Sequence, residues 1–231
     1  MNEYYNKLKT FQREVIKYTS EIFKVYGNEL LLRLEEYNLL TNQYNCIETS
    51  TSIGFIIEEF IVSKLEIYTQ QHNNNDNYKI NRSAGSTTKA SYDCFGFIDN
   101  VKVMINIKVD KGGNNAISAI KMLYEGYVLN EPQQEKGFMI LKIHYDFDIS
   151  KIDNQKKIIV KDITSYFLEE IDFSQGHKQD NRNWSKDFNP NSGRLQASDS
   201  FRQCHKVQEE DISYKNTINM LDCIIKYNKN N

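Results

Sequence analysis

The sequence predicts an α/β protein in which a mixed β-sheet is flanked by helices, with a helical region at its N-terminal end. Three observations predict it. Apolar residues recur at helical spacing through the first part of the chain. Short runs rich in β-branched and aromatic residues follow, and helical spacing returns between and after them. With 231 residues, 39% of them hydrophobic and 12% aromatic, the chain has enough apolar surface for one domain over 1–231.

Each element has its own signal. In 2–26, Tyr5, Leu8, Phe11, Val15, Ile16, Tyr18 and Ile22 form a helical stripe that ends at Gly27-Asn28. Residues 29–40 read as a second helix, so that 1–45 is a helical N-terminal region. A third helix spans 51–68, opened by Thr51-Ser52 in the manner of an N-cap, with the stripe Ile53, Ile56, Ile57, Phe60, Ile61 and Leu65. The polar run QQHNNNDNY over 70–78 reads as a surface loop. Strands over 91–98 and 101–109 flank Asp99-Asn100, a pair suited to a tight hairpin turn. After Gly112-Gly113 the stretch 116–129 returns to helical spacing. Strands at 137–145 and 157–163 and a short helix at 166–171 complete a core over 51–171. From 173 to 203 no periodicity survives, and a loop of that length in a compact domain marks function or disorder. A helix over 212–227 lies in the C-terminal segment 211–231.

Composition narrows the function classes. The net charge of −2 counts against a protein that coats nucleic acid by charge alone, but not against an enzyme with local cationic loops. No apolar run approaches the ~20 residues of a membrane helix. The start MNEYYNKLKT lacks a signal-peptide core, so cytoplasmic residence is the default. Cys46, Cys94, Cys204 and Cys223 form no CxxC or Cys/His cluster, and free buried thiols are expected. His72, His144, His177 and His205 are scattered, which disfavours a histidine-metal centre, and no GxxxxGK[ST] motif is present.

The hairpin carries the chemistry. Tyr92-Asp93 is followed by Ile105-Asn106-Ile107-Lys108. Strand side chains alternate, so Ile105 and Ile107 enter the core while Asn106 and Lys108 face the other side, near Asp93. This pattern resembles the PD-(D/E)xK nuclease motif. The resemblance implies a restriction-endonuclease-like core in which acidic residues hold Mg²⁺ and the lysine serves the attacking water. A hard cation on carboxylates positions water and absorbs charge on the phosphate, and a nearby ammonium stabilises charge further.

The pattern departs from the motif twice. Tyr92 replaces the proline, and Asn106 stands where the second acid belongs. An amide oxygen can ligate Mg²⁺ but brings no charge, so another carboxylate should compensate. Glu58 and Glu59 are the sources, and Gly54-x-x-x-Glu58 matches the family's spacing. The resemblance thus implies Asp93, Asn106, Lys108 and Glu58 as catalytic residues. Asp93, Glu58, Asn106 and Ile107 are the implied metal ligands. An aspartate at position 106 is expected to be tolerated.

Two loops read as DNA contacts. The segment 181–203 interleaves Arg182, Lys186, Arg194 and Arg202 with aromatic side chains including Trp184, and Asn183 and Gln196 supply amides that read base edges. The second, 81–90, offers Arg82, Ser83, Ser86, Thr87 and Lys89 just before Asp93. Taken together, 173–203 resembles a recognition loop of type II restriction enzymes. The implied activity is Mg²⁺-dependent, sequence-specific hydrolysis of double-stranded DNA by a homodimer, working alongside a cognate DNA methyltransferase. Alternatives are a catalytically weakened DNA-binding protein on the same fold, a repair or recombination nuclease, and a protein-interaction domain.

Overall fold

The computed structural model describes residues 2–30, 50–72, 77–83, 91–112, 116–149, 151–152, 156–173 and 194–227. Helix α1 (Glu3–Val25) starts where the Asn2 side chain accepts from the Tyr5 amide, with Glu3 in its first turn and Lys24 in its last. Its buried residues Leu8, Phe11, Val15, Tyr18 and Ile22 lie three or four apart on one face. The helix ends because Gly27 takes φ 65°. That lets Gly27 N–H donate to Lys24 O (3.0 Å) and Asn28 N–H to Phe23 O (2.9 Å), the paired bonds of a Schellman turn.

The turn sends the chain into a strand, where the sequence predicts a helix. Strand β1 (Glu29–Leu30) pairs antiparallel with β7 (Lys156–Phe167), and Glu29 forms an ion pair with Lys157 at 3.1 Å. Unpaired backbone groups on the edge of β7 outweigh local helix preference here. The rest of the expected helix, 31–40, lies outside the described residues.

Helix α2 (Ser50–His72) begins earlier and ends later than expected, taking residues 70–72 from the predicted loop. It buries Ile57, Ile61, Val62 and Leu65, while Ile56, expected on that face, is 45% exposed. At its C-terminal end the Thr69 hydroxyl accepts from Ile80 N–H at 2.9 Å, fixing the approach to β2 (Asn81–Arg82).

The hairpin forms with the predicted turn, but its first strand starts at Cys94 and not at Ser91, leaving Asp93 in a bend just before it. Strands β3 (Cys94–Ile98) and β4 (Val101–Asp110) meet at a two-residue turn in which Asp99 takes φ 51°. Strand β4 then pairs in parallel with β6 (Glu135–Ile149), and the other ladders are antiparallel. The six-stranded order is β1-β7-β6-β4-β3-β2, a mixed sheet flanked by helices on both faces, as expected.

Alternation along the strands builds a core on each face. Val103, Ile105 and Ile107 of β4, with Met139 and Leu141 of β6, pack with α1 and α2. Met104, Phe138 and Ile140 face the other way. They pack with α3 (Ile120–Tyr124), the π turn Glu125–Leu129 that continues it, and residues that include Leu221 of the C-terminal helix.

Other expectations are corrected by long-range pairing. Ala116–Ala119 is a strand, β5, and not the start of a helix, because it pairs with β8 (Arg194–Gln196) in a second, two-stranded sheet. Within the predicted loop 173–203, Asp199–Cys204 forms a short helix, α4, capped by Ser198, and 174–193 lies outside the described residues. Tyr166 and Phe167 remain in β7, leaving only Leu168–Glu170 as a 3₁₀ turn. The C-terminal helix α5 spans Tyr214–Tyr227. Cys94 is a buried free thiol, whereas Cys204 is exposed on α4. Among the described residues no helix is long and apolar enough to cross a membrane.

Gly96 tests the first core. A Cβ there would stand 2.9 Å from both the Lys79 carbonyl and Phe11 Cζ, with Ile80 Cδ1 at 3.0 Å. Gly96→Ala is expected to lose about 1–3 kcal/mol of stability through overpacking. Urea unfolding checks this, and an unchanged midpoint would contradict the packing described.

Candidate active site

The β3–β4 ladder starts at the pair Cys94↔Ile105, and Asp93 sits immediately before it. Its amide donates to Ile105 O at 2.9 Å, and its Oδ2 accepts from Ile107 N–H at 2.6 Å. The carboxylate therefore takes the place of the next ladder bond and is fixed against the middle of β4. Burial holds the Asp93 carboxyl above its ordinary range, opposed by the Ile107 hydrogen bond and the Lys108 charge and reinforced by Glu59.

Asn106 is buried, and its Nδ2 donates to the Ile117 carbonyl of β5. Only the amide nitrogen is spent on that bond, which leaves Oδ1 as a neutral oxygen donor. Lys108, two residues on, is half-buried. Among the described residues it makes no hydrogen bond or ion pair.

Helix α2 supplies Glu58. Gly54, one turn earlier, lies where an added Cβ would be 3.7 Å from Val109 O, so the helix crosses close over the end of β4. Burial pushes the Glu58 carboxyl up to about 7, against the Lys108 charge and with the charges of Asp93 and Glu59. Glu59 points elsewhere: its Oε2 accepts from Arg82 Nη1 at 2.6 Å, and Arg82 Nη2 donates to Ser63 Oγ at 2.7 Å. Three elements thus bring Glu58, Asp93 and Lys108 within electrostatic range of one another, with Asn106 on the same strand.

The expected DNA contacts divide into three groups. Arg82 and Ser83 are engaged within the chain, Arg82 on α2 and Ser83 buried with its amide donating to Asp93 O at 3.2 Å. Arg194 is exposed on β8, Gln196 is half-buried beside it, and Arg202 on α4 pairs with Asp199 while its guanidinium lies 4.1 Å from the Tyr166 ring centroid. Ser86, Thr87, Lys89, Arg182, Asn183, Trp184 and Lys186 lie outside the described residues.

Three residues near the site were not singled out from the sequence as site residues. Lys142 of β6 is in parallel register with Lys108, and its Nζ lies 3.7 Å from Asp110 Oδ2. His144 Nδ1 lies 3.6 Å from Asp110 Oδ1. The alternation Asn106-x-Lys108-x-Asp110 carried a signal for Asp110, since all three share a strand face. Lys142 and His144 depend on strand pairing that no local pattern encodes.

Among the described residues no group of three or more His, Cys, Asp or Glu side chains is placed to hold a metal ion. The oxygen donors at hand are the two carboxylates of Glu58 and Asp93, the Asn106 amide and the Ile107 carbonyl. That set fits a hard cation which keeps several waters and takes only one or two protein carboxylates, completing its shell with substrate phosphate.

No protein-family profile and no curated protein matches the chain. Among solved structures it is similar to one titled NlaIV restriction endonuclease, with 13% identity and a TM-score of 0.36, covering 79% of this chain and 73% of that one. A likeness that loose says nothing about the site, whose reading rests on its own residues.

Proposed function

We propose that this chain is a Mg²⁺-dependent DNA endonuclease on a restriction-endonuclease-like core, of the type II class that cuts double-stranded DNA at a defined sequence. The observation that carries the reading is the convergence of Glu58, Asp93 and Lys108 from a helix, a bend and a strand. Two partly desolvated carboxylates repel each other and hold protons more tightly than in water, and a divalent cation relieves both penalties.

Glu58 and Asp93 would hold the ion, with Asn106 Oδ1 and the Ile107 carbonyl as neutral donors. When bound, the ion supplies Lewis acidity at the phosphate and lowers the pKa of water. The protein's own groups do the rest. The Ile107 amide orients Asp93, β4 carries Lys108 beside the carboxylates, and the Lys108 ammonium orients water and stabilises charge. The water oxygen bonds to phosphorus and loses a proton while the P–O bond to one sugar oxygen breaks and that oxygen gains a proton, leaving a phosphomonoester and an alcohol. Cutting both strands at a two-fold site calls for a homodimer, and protection of the host calls for a cognate methyltransferase.

One observation favours a second reading. The Asn106 amide is tied to Ile117 O, a fold-building role, so a DNA-binding protein with weakened catalysis remains the alternative. Incubating supercoiled plasmid with purified protein and Mg²⁺ separates the two. Discrete linear fragments support the restriction enzyme, structure-selective nicking points to repair, and binding without cleavage points to the weakened protein. Full cleavage in EDTA would refute the metal mechanism.

The pH dependence has a defined sign. A proton on Glu58 competes with the cation, and that carboxyl titrates at about 7. The Mg²⁺ concentration for half-maximal cleavage is therefore expected to fall as pH rises through about 7. A metal requirement that does not change with pH would remove Glu58 from the ligand set.

A further inference from the structure

The strand face beyond Lys108 carries more positive charge than the proposed chemistry uses. Lys108 and Lys142 are register partners on neighbouring parallel strands, so their side chains leave the same face about 5 Å apart. Like charges placed so are unfavourable without an anion between them. Asp110 lies near Lys142, but at a long 3.7 Å, and it also faces His144 at 3.6 Å and accepts from Gly112 N–H at 2.9 Å.

The next strand adds a third cation. Ile140 is paired with Tyr166 of β7, and the Arg202 guanidinium lies over the Tyr166 ring. Among the described residues Arg202 Nε is buried and has no hydrogen-bond partner. A buried guanidinium N–H left unpaired is rare unless something absent from the free protein takes it. Tyr166 is the register partner of Ile140, so its ring leaves the same sheet face as Lys142 two residues further along β6, and Arg202 lies over that ring.

We infer that Lys142 and Arg202 form a phosphate-binding subsite beside Lys108, which takes a nucleic-acid backbone phosphate neighbouring the one that is cut. In the free protein Asp110 stands in for that phosphate at Lys142. This rests on the nuclease reading and deepens it. The phosphate would bring two or three strong acceptor oxygens to a pair of cations whose present anionic partners are Asp110 at Lys142 and Asp199 at Arg202 Nη2, and the Arg202 Nε offers a directed N–H where Lys142 offers a point charge.

The test is binding of a short mixed-sequence duplex DNA, with Ca²⁺ replacing Mg²⁺, across a series of salt concentrations. Lys142→Gln is expected to weaken binding roughly tenfold and to reduce the slope of log affinity against log salt by about one. Lys142→Arg should restore both. Asp110→Asn keeps an acceptor for Gly112 N–H and removes the competing charge, so it should tighten binding several-fold, roughly as losing a like charge near a phosphate would. A merely structural Lys142–Asp110 pair predicts weaker binding from both changes, and that result would overturn the inference, as would a wild-type slope in Lys142→Gln. Urea midpoints near wild type confirm that the variants are folded. Inorganic phosphate is the second probe: Lys142-dependent phosphate binding with an unchanged duplex slope would also overturn it. A wild-type protein that binds no duplex at all removes the nuclease reading, and the subsite with it.

Discussion

Lys108→Ala is expected to lower DNA cleavage by roughly 10²–10³-fold, the usual loss when one preorganised charge-stabilising group is removed. Duplex binding should persist, because Lys108 is one cation among several on its strand face. The truncation is structurally mild, since the side chain is half-buried and, among the described residues, leaves no ion partner behind. Its electrostatic effect is specific. The ammonium lowers the pKa of both Glu58 and Asp93, so its loss should raise both, and any residual activity should need a higher pH than wild type. Lys108→Arg keeps the charge but not the compact head group, and should recover the pH profile more fully than the rate. Turnover near wild type in Lys108→Ala would sink the active-site assignment, whatever its effect on binding.

Much of this arrangement was legible in the sequence because it is local. The hairpin needs only alternation and Asp99-Asn100, and α1 needs only its stripe, Asn2 and Gly27. The proximity of Asp93 to Asn106 and Lys108 followed from that hairpin alone. Illegible were the features set by partners far along the chain. Ala116–Ala119 became a strand because Arg194–Gln196 lies beside it. Glu29–Leu30 became one because β7 had a free edge. Lys142 joined the site through the parallel β4–β6 register, and Arg82 left the set of free cations because Glu59 and Ser63 hold it. In each case the deciding contact spans many residues, where local propensity carries no information.

The neighbouring glutamates give the second large effect. Glu58→Gln removes one of the two carboxylates that the described residues bring to the site, so cleavage should fall by roughly 10²-fold or more, in line with losses seen on disturbing metal shells. Glu59→Gln breaks a pair with Arg82 whose side chains are 34% and 38% exposed, so it should leave the rate intact and lower stability by at most about 1 kcal/mol. A second readout needs no activity. The Glu58 carboxyl is raised in the folded state, so its contribution to stability is full at acid pH, below the unfolded value, and is lost as pH rises through about 7. In metal-free buffer above that pH, Glu58→Gln should therefore resist urea better than wild type. The gain should shrink when Mg²⁺ is added, because only the wild type can bind it through a carboxylate at position 58.

Asn106→Asp completes the test. The sequence alone predicts tolerance, but a carboxylate cannot donate to the Ile117 carbonyl as the amide does. Metal-free Asn106→Asp should lose about 1–3 kcal/mol by leaving a buried acceptor unpaired. Mg²⁺ should restore part of that loss, since the new charge adds to the pair already present. Stabilisation by Mg²⁺ that is larger in Asn106→Asp than in wild type, and absent in Glu58→Gln, places both positions at one ion. If instead Glu58→Gln and Glu59→Gln both cut at the wild-type rate, neither glutamate holds the metal and the ligand set proposed around Asp93 is wrong.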